Sequence, residues 1–229
     1  MIIFSLTVII SYAILILLFY VGGFRSRKKT NSNYSSISVV IPFKDEERRI
    51  EPLLASLNRA NYQSIQVELI FVDDNSEDQS VSFIEKKLTV PYQMICATKE
   101  GKKNALSEGI SLAGNDYVLT LDADVYFEEN YFQNVLQQIK QQDCIILPVR
   151  NFAHKNNLLQ HIDALEFKSL QTATFGSVGL GSPILSNGAN LLFKKTSFTQ
   201  VGGYSGTYAT SSGDDQFLLA KFHKAEMVI

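Results

Sequence analysis

The stretch VELIFVDDNS, residues 67–76, decides the fold, because a short apolar run rich in β-branched and aromatic side chains ends there in two carboxylates. Three other runs share this apolar character: residues 37–42 (ISVVIP), 117–121 (YVLTL) and 144–149 (CIILPV). Each run is too short for a buried helix and contains strand-forming residues, so each predicts a β-strand. A fifth strand is predicted near residues 93–96.

Helical periodicity fills the intervals between these runs. Apolar side chains recur at three- and four-residue spacing in residues 46–60, 79–88, 103–112 and 131–140. Strands that alternate with helices and read as continuous apolar runs are typical of a mostly parallel sheet covered on both faces, so we predict an α/β fold. Residues 158–167 predict a further, amphipathic helix, which would pack on the core or lie on a membrane surface.

The first 24 residues have a different character, since they contain no Asp, Glu, Lys or Arg. As a helix they would span about 36 Å, enough to cross a bilayer core of about 30 Å. No basic residue precedes the apolar run and no small-x-small cleavage pattern follows it, which favours an uncleaved anchor over a signal peptide. We therefore predict a transmembrane anchor over residues 1–24.

A basic and polar linker is predicted over residues 25–36. Its basic cluster consists of Arg25, Arg27, Lys28 and Lys29. Basic residues that follow a membrane helix favour retention of the following chain in the cytoplasm. The sequence thus predicts a single-pass membrane protein with a cytoplasmic body over residues 37–229.

Composition excludes several classes of protein. The 45% of hydrophobic residues exclude disorder as the main state, and two cysteines without Cys/His clustering exclude a disulfide scaffold and a zinc module. A net charge of −2 gives no electrostatic reason to expect a nucleic-acid partner.

Carboxylates follow three of the predicted strands. Glu46 lies after the first strand, Asp73 and Asp74 end the second, and Asp122 and Asp124 follow the third. In parallel sheets, ligands bind outside the carboxyl ends of the strands, and clustered like charges are unfavourable unless a cation neutralises them. Oxygen ligands suit Mg²⁺ or Mn²⁺, with substrate phosphates completing the shell. A helix-capping or surface role is the alternative for each residue.

An ordered set of six blocks resembles family 2 glycosyltransferases over residues 37–222. The blocks are SVVIPFKDEERRIEPLLASL (38–57), ELIFVDDNSED (68–78), GKKNALSEGI (101–110), DYVLTLDADV (116–125), NGANLLFKKTSFTQVGGY (187–204) and GDDQFLLAKF (213–222). The resemblance implies the GT-A fold, a Rossmann-like sandwich. It also implies transfer of a sugar, with inversion, from a nucleotide-diphosphate sugar (a UDP-sugar is favoured) to a glycan or lipid-linked acceptor.

The resemblance also implies roles on the donor side. Pro42 and Glu46 would lie beside the nucleotide base and ribose, with Glu47 as the alternative to Glu46. Asp74, or alternatively Asp73, would hydrogen-bond the base. The remaining donor-side residues would be Lys102, which would help to hold the nucleotide, Asp122, which would approach the ribose and the metal, and Asp124, which would bind Mg²⁺ or Mn²⁺ on the diphosphate.

On the acceptor side, Asp215 matches the family's catalytic base. Asp214 stands where the family usually has Glu, which shortens the side chain by one methylene and keeps the charge. Gly188, Ala189 and Asn190 would lie near the acceptor. The alternative for Asp214 and Asp215 is a plain helix N-terminus, and the alternative for residues 188–190 is a turn that enters a strand.

Three other interpretations remain open at this point. A phosphoacceptor receiver domain would need a downstream Lys-Pro, which does not occur. A haloacid-dehalogenase-type phosphatase would use Asp122 as nucleophile, but some eighty body residues precede it. The third is an inactive nucleotide-sugar-binding paralogue. The chain has no Trp, lacks the Gln-x-x-Arg-Trp block of many relatives and ends at Ile229, so we expect it to be truncated relative to a working enzyme.

Overall fold

The computed structural model describes residues 2–25, 34–151, 158–206 and 213–229. Most of the predicted linker, including Arg27, Lys28 and Lys29, lies outside the described residues. The helices are α1 (Ile2–Arg25), α2 (Glu51–Arg59), α3 (Ser80–Lys87), α4 (Lys102–Leu112), α5 (Tyr131–Leu136), α6 (Leu158–Gly179), α7 (Lys195–Gln200) and α8 (Asp214–Lys224). The strands are β1 (Ser36–Phe43), β2 (Gln66–Asp73), β3 (Gln93–Cys96), β4 (Tyr117–Leu121), β5 (Cys144–Ile146) and β6 (Asn190–Lys194).

The six strands form one sheet in the order β3-β2-β1-β4-β6-β5. The pairs β1–β2, β1–β4 and β2–β3 are parallel, whereas β6 is antiparallel to both β4 and β5. The prediction of a mostly parallel sheet flanked by helices is confirmed. Because β6 runs backwards, its first residue, Asn190, pairs with Leu121 at the carboxyl end of β4.

Helices cover both faces of the sheet because its central strands are apolar on both sides. Alternate residues of β1, such as Ile41 and Val40, enter opposite cores. One core is built against α2, α3 and α5, and the other against α4, α7, α8 and the end of α6. This burial on both faces explains why the strands read as unbroken apolar runs.

Several element boundaries differ from the sequence-based expectation. Residues 46–50 form turns, closed by the Ile50 amide donating to the Glu46 carbonyl at 2.9 Å, and α2 begins only beside Pro52. β5 ends at Ile146, since Pro148 cannot donate a ladder hydrogen bond. α6 extends from Leu158 to Gly179, twelve residues beyond the predicted end, and its last turns are held by packing of Phe175 and Val178 on the core. α7 was not predicted.

α1 is the one helix in the described part of the chain that is long and apolar enough to cross a membrane, by length and composition. Its large apolar side chains are exposed over most of its length, whereas Gly22, near its end, is buried. Its body-side end contacts α6, where Gly22 and Phe19 lie against the backbone of Gly176.

Candidate active site

The candidate site lies at the edge where β1, β2 and β4 end and β6 begins. The strand register places Phe43 beside Asp73, and Leu121 beside Asn190. The segments that follow each strand, and the loop that precedes β6, therefore converge on one edge. This is the edge at which open α/β sheets bind their ligands.

Pro42 and Glu46 enter this edge from β1. Pro42 pairs with Val72 of β2, beyond the last β1–β4 pair at Val40, so its missing amide hydrogen leaves that ladder intact. Glu46 accepts a hydrogen bond from Arg49 at 2.8 Å through Oε1, while its buried Oε2 has no hydrogen-bond partner among the described residues. Burial raises the pKa of Glu46 above its ordinary value, against the opposing effect of Arg49.

Glu47, the alternative to Glu46, is directed elsewhere. Its amide donates to Asp78 Oδ2 at 3.0 Å, and its carboxylate accepts from the Gln79 amide at 3.4 Å. Glu47 is thus hydrogen-bonded to the residues just before α3. Glu46 instead lies within electrostatic range of Asp124 and Asp122, and both carboxylates raise the pKa of Glu46 further.

Asp73 and Asp74 end β2 and are both buried. Asp73 Oδ1 accepts a hydrogen bond from the Ser76 amide at 2.9 Å, which closes the turn after the strand. Asp74 Oδ1 accepts from the Gly101 amide at 2.7 Å, which ties β2 to the start of α4. Burial raises the pKa of Asp74, although the Gly101 bond opposes this. Each carboxylate therefore has one oxygen engaged in supporting the edge.

Lys102 is the central cation of the site. It begins α4, and its Nζ donates to Asp122 Oδ1 at 2.6 Å. Burial alone would lower the pKa of Lys102, but Asp122, Asp214 and Asp215 raise it by more, so the net direction is upward. One ammonium group thus lies among carboxylates that come from β4 and from α8, which are far apart in sequence.

Asp124 is more accessible than Asp122. Half of its side chain is exposed, against 31% for Asp122, and Arg49 lies 3.9 Å from its Oδ2. The Arg49 guanidinium therefore lies between the carboxylates of Glu46 and Asp124 and forms an ion pair with each. Sequence reasoning did not single out Arg49, although its i,i+3 spacing from Glu46 is a signal for such a pair.

Asp214 and Asp215 are the first two residues of α8, as the helix-terminus interpretation predicts. Gly213 precedes them in a left-handed conformation, with φ of 77°. Acidic residues in a first helical turn are favoured by the helix dipole. Asp214 is buried, and this burial, with Asp215 and Asp122 nearby, raises its pKa despite the opposing effect of Lys102.

The loop before β6 packs directly against this acidic pair. A Cβ on Gly188 would lie 3.2 Å from Asp214 Oδ2 and 3.4 Å from Asp215 Cβ, which is a tight fit for any larger residue. Ser186 Oγ donates to Asp215 Oδ2 at 3.1 Å. No sequence signal pointed to Ser186, because the contact joins a loop and a helix that are 29 residues apart.

Asn190 and Ala189 have structural partners in the same loop. Asn190 accepts from the Tyr131 hydroxyl at 2.5 Å and donates to the Pro148 carbonyl at 3.0 Å, so both ends of its amide are engaged inside the protein. The Ala189 amide donates to Asn187 Oδ1 at 3.0 Å. The backbone indeed forms a turn that enters a strand, and the acceptor-side role of residues 188–190 stays a prediction.

The donor set of the site fits a hard divalent cation. Within the described residues, no three His, Cys, Asp or Glu side chains are already grouped as metal ligands. Mg²⁺ and Mn²⁺ commonly take only one or two protein carboxylates and complete their shell with water and substrate phosphates. Asp122 and Asp124 supply such carboxylates on one loop, and the exposure of Asp124 leaves room for the other ligands.

Comparison with known proteins identifies the family. The model of the family described as "Glycosyl transferase family 2" matches residues 38–202, which is most of the chain. That match includes the segments that carry Pro42 to Asn190 and ends before Asp214 and Asp215.

Two curated relatives resemble the chain at nearly the same sequence identity. The 4,4'-diaponeurosporenoate glycosyltransferase of Staphylococcus haemolyticus is 27% identical over 177 residues, covering 70% of this chain and 46% of the relative. The poly-beta-1,6-N-acetyl-D-glucosamine synthase of Staphylococcus epidermidis is 26% identical over 180 residues, covering 76% of this chain and 43% of the relative. The chain thus spans less than half the length of these relatives.

Among solved structures, the mannosyltransferase PcManGT from Pyrobaculum calidifontis, in complex with GDP-Man and Mn²⁺, superposes with a TM-score of 0.64 at 17% identity. The superposition covers 87% of this chain and 57% of that one. At this identity the likeness concerns the fold, which is the expected GT-A fold. The family match argues against the receiver-domain and phosphatase alternatives. The chain belongs to glycosyl transferase family 2.

Proposed function

We propose that this protein transfers a sugar from a nucleotide-diphosphate sugar to a hydroxyl group of a glycan or lipid-linked acceptor, with inversion at the anomeric carbon. The main support for the proposal is the position of Lys102 at the carboxyl edge of the sheet. Lys102 hydrogen-bonds Asp122 and interacts electrostatically with Asp214 and Asp215. These carboxylates raise the pKa of Lys102 and burial raises that of Asp214, and perturbed pKa values of this kind are common at functional sites.

The donor would bind along the ends of β1, β2 and β4. Pro42 and Glu46 would flank the base and ribose, and Asp74, or alternatively Asp73, would hydrogen-bond the base through its second oxygen. Lys102 would turn from Asp122 toward the anionic diphosphate as the donor arrives. A GDP-Man complex of a protein with the same fold supports a nucleotide sugar as the ligand class.

Asp124, with Asp122, would hold Mg²⁺ or Mn²⁺. When bound, such a cation supplies Lewis-acid stabilisation of the charge that develops on the leaving diphosphate. A carboxylate pair on one loop can bind the cation only weakly without phosphate ligands, so we expect metal and donor to bind together.

Asp215 would act as the general base. An acceptor hydroxyl is a poor nucleophile at neutral pH, so a positioned carboxylate must accept its proton as the new bond forms. Asp215 and the leaving group would stand on opposite faces of the sugar, which gives inversion. Ser186 would fix the orientation of the carboxylate through Oδ2, and Gly188 would bring the acceptor loop close to it.

We also propose the division of the chain that the sequence predicts. Residues 1–24 would anchor the protein in a membrane, residues 25–36 would link, and residues 37–229 would form the cytoplasmic catalytic domain. The anchor supports a lipid-linked or envelope acceptor, because it would place the site next to such molecules.

A calorimetric panel of UDP-, GDP- and dTDP-sugars, each with and without Mn²⁺, tests this function. We expect one nucleotide class to bind, with an affinity that depends on Mn²⁺. The folded protein failing to bind any of them would contradict the proposal. Binding without any turnover would instead support the inactive nucleotide-sugar-binding alternative.

A further inference from the structure

The helix α6 has two parts in different surroundings. Its last turns are fixed to the body, since Thr174, Gly176 and Ser177 are buried and Phe175 packs on the core. Its first part, residues 158–170, contains no buried residue. The 18 residue-to-residue steps from Leu158 to Gly176 correspond to about 27 Å of helix.

The outward face of this first part is apolar. Leu158, Leu159, Ile162 and Leu165 are between 52% and 74% exposed. The half-buried residues of the same helix, Gln160, Ala164, Phe167 and Gln171, recur at three- and four-residue spacing on the opposite side. The large aliphatic side chains therefore occupy the face that points away from the protein, which is the reverse of an ordinary surface helix.

Polar and charged residues border this face. Asp163 lies on one side of it, with Glu166 at that margin next to Leu159, and Lys168 and His161 lie on the other side; all four are exposed. A helix with these residues is unsuited to the bilayer interior, where ionisable side chains are costly. An apolar stripe between charged borders is typical of helices that lie in the headgroup region.

The position of α6 relative to α1 decides the partner. The two helices cross with their backbones in contact, because a Cβ on Gly179 would lie 1.9 Å from the Gly22 carbonyl oxygen and a Cβ on Gly176 would lie 2.4 Å from that of Phe19. Crossings through small residues are characteristic of helix pairs in membranes. Gly22 lies at the body-side end of α1, so a bilayer around α1 would have its near surface at this crossing.

We propose that the face formed by Leu158, Leu159, Ile162 and Leu165 lies in the headgroup region of the bilayer that α1 spans, as a second membrane contact. This inference rests on the membrane anchoring proposed above. Two contacts joined by a tight crossing would fix the orientation of the body, whereas a single membrane helix would not. The loop that leaves α6 carries Ser186 and Gly188, so this contact would hold the acceptor side of the site near the membrane surface.

The absence of Trp from the chain permits a direct test, because one introduced Trp is then the only indole fluorophore. The probe variant is Leu165→Trp, an exposed position whose change disturbs no buried contact. Leu17→Trp reports on α1, and Leu112→Trp, an exposed apolar position on α4, is the matched control on the body. Each full-length variant is reconstituted in phosphatidylcholine–phosphatidylglycerol vesicles that contain lipids brominated at shallow or deep acyl positions.

We expect shallow bromines to quench Leu165→Trp by about half, the depth of insertion being about 5–10 Å. Deep bromines should quench Leu17→Trp, and neither lipid should quench Leu112→Trp. Quenching of Leu17→Trp without quenching of Leu165→Trp would overturn this inference and leave the anchor intact. The same result is expected if a second copy of the protein, and not lipid, covers the face. Quenching at neither position would overturn the anchor as well, and quenching at all three would show non-specific insertion and overturn the inference.

Discussion

At the edge of the sheet where β1 and β2 begin, the Glu68 carboxylate accepts hydrogen bonds from within the protein. Ser38 Oγ donates to it, and the Gly114 amide donates to it at 2.8 Å. The Asn115 amide in turn donates to Ser38, so the group forms a closed network. At the opposite edge, Asp122, Asp214 and Asp215 share the Lys102 ammonium group, and Glu46 has a buried oxygen without a hydrogen-bond partner in the described part of the chain. Carboxylates at the first edge stabilise the protein, whereas those at the second remain available to a ligand.

This contrast separates two kinds of variant. Changes to the carboxylates of the carboxyl edge should impair binding or turnover with little loss of stability, and changes at the amino edge should do the reverse. Removal of Lys102, the cation shared by those carboxylates, should lower stability as well.

Asp215→Asn should lower turnover by roughly 10³-fold, because the amide cannot accept the acceptor's proton. Donor binding should remain, since Asp215 hydrogen-bonds Ser186 and packs against Gly188 of the acceptor loop, and its proposed role is proton transfer. Consumption of the nucleotide sugar, followed by ¹H NMR, measures the effect. Glu68→Gln is the control, expected to lower the melting temperature while leaving turnover within about twofold, as for a residue away from the chemistry. Equal turnover in Asp215→Asn and wild type would remove the base assignment.

Lys102→Ala should lower the free energy of unfolding by about 1–2 kcal/mol, less than for a fully buried pair because both partners are partly exposed. The loss arises because Asp122, Asp214 and Asp215 are then left without their shared cation. Thermal denaturation with and without Mn²⁺ measures it. Since a cation at the edge would replace the missing charge, Mn²⁺ should raise the melting temperature of this variant more than that of wild type. An identical Mn²⁺ response in both proteins would argue against a cation site here.

Ser186→Ala should lower kcat by about tenfold, the scale of one hydrogen bond to a charged group. The KM for the donor should stay unchanged, because Ser186 contacts Asp215 and no strand end that would bind the nucleotide. Ser186→Thr, which keeps the hydroxyl, should recover most of the activity. Initial rates over a range of donor concentrations separate the two constants. A change in KM alone would show that Ser186 acts on the donor.

Asp214→Asn should have the smallest effect on stability, a gain of about 1 kcal/mol or less at pH 7. The folded-state pKa of Asp214 is raised, so the stability that it contributes is present below its unfolded pKa and is lost as the pH rises through the folded value. The amide avoids that loss, and its advantage should vanish below about pH 4, where the wild-type side chain is protonated in both states. Denaturant unfolding at pH 4 and pH 7 measures this difference. A variant that is less stable than wild type at pH 7 would contradict the role of burial.

The edge of the sheet was predictable from sequence because it depends on local pattern. Apolar runs such as 67–72 and 117–121 marked the strands, and the parallel arrangement then placed Asp74 and Asp122 at one edge without further information. The match of Tyr117–Leu121 and Gln93–Cys96 with the predicted strands reflects this local origin.

The contacts across the edge were not predictable, because they join segments distant in sequence. The Lys102–Asp122 pair spans 20 residues and the Ser186–Asp215 pair 29, and neither has a spacing that marks it. The extension of α6 to Gly179 was missed for a related reason, since Ser, Thr and Gly are weak helix formers and tertiary packing overrides them. The outward direction of Leu165 likewise depends on which side of α6 meets the body.

The most direct test of the account is the heat of donor binding, with and without Mn²⁺, to wild type, Asp124→Ala and Asp215→Asn. The nucleotide sugar selected by the panel serves as titrant. We predict Mn²⁺-dependent binding to wild type and to Asp215→Asn, and a loss of at least about tenfold in affinity for Asp124→Ala, the scale on which a metal ligand acts through its site. Binding to Asp124→Ala that keeps its full Mn²⁺ dependence, or loss of donor binding in Asp215→Asn alone, would contradict the proposed division between a metal–donor carboxylate and a catalytic base.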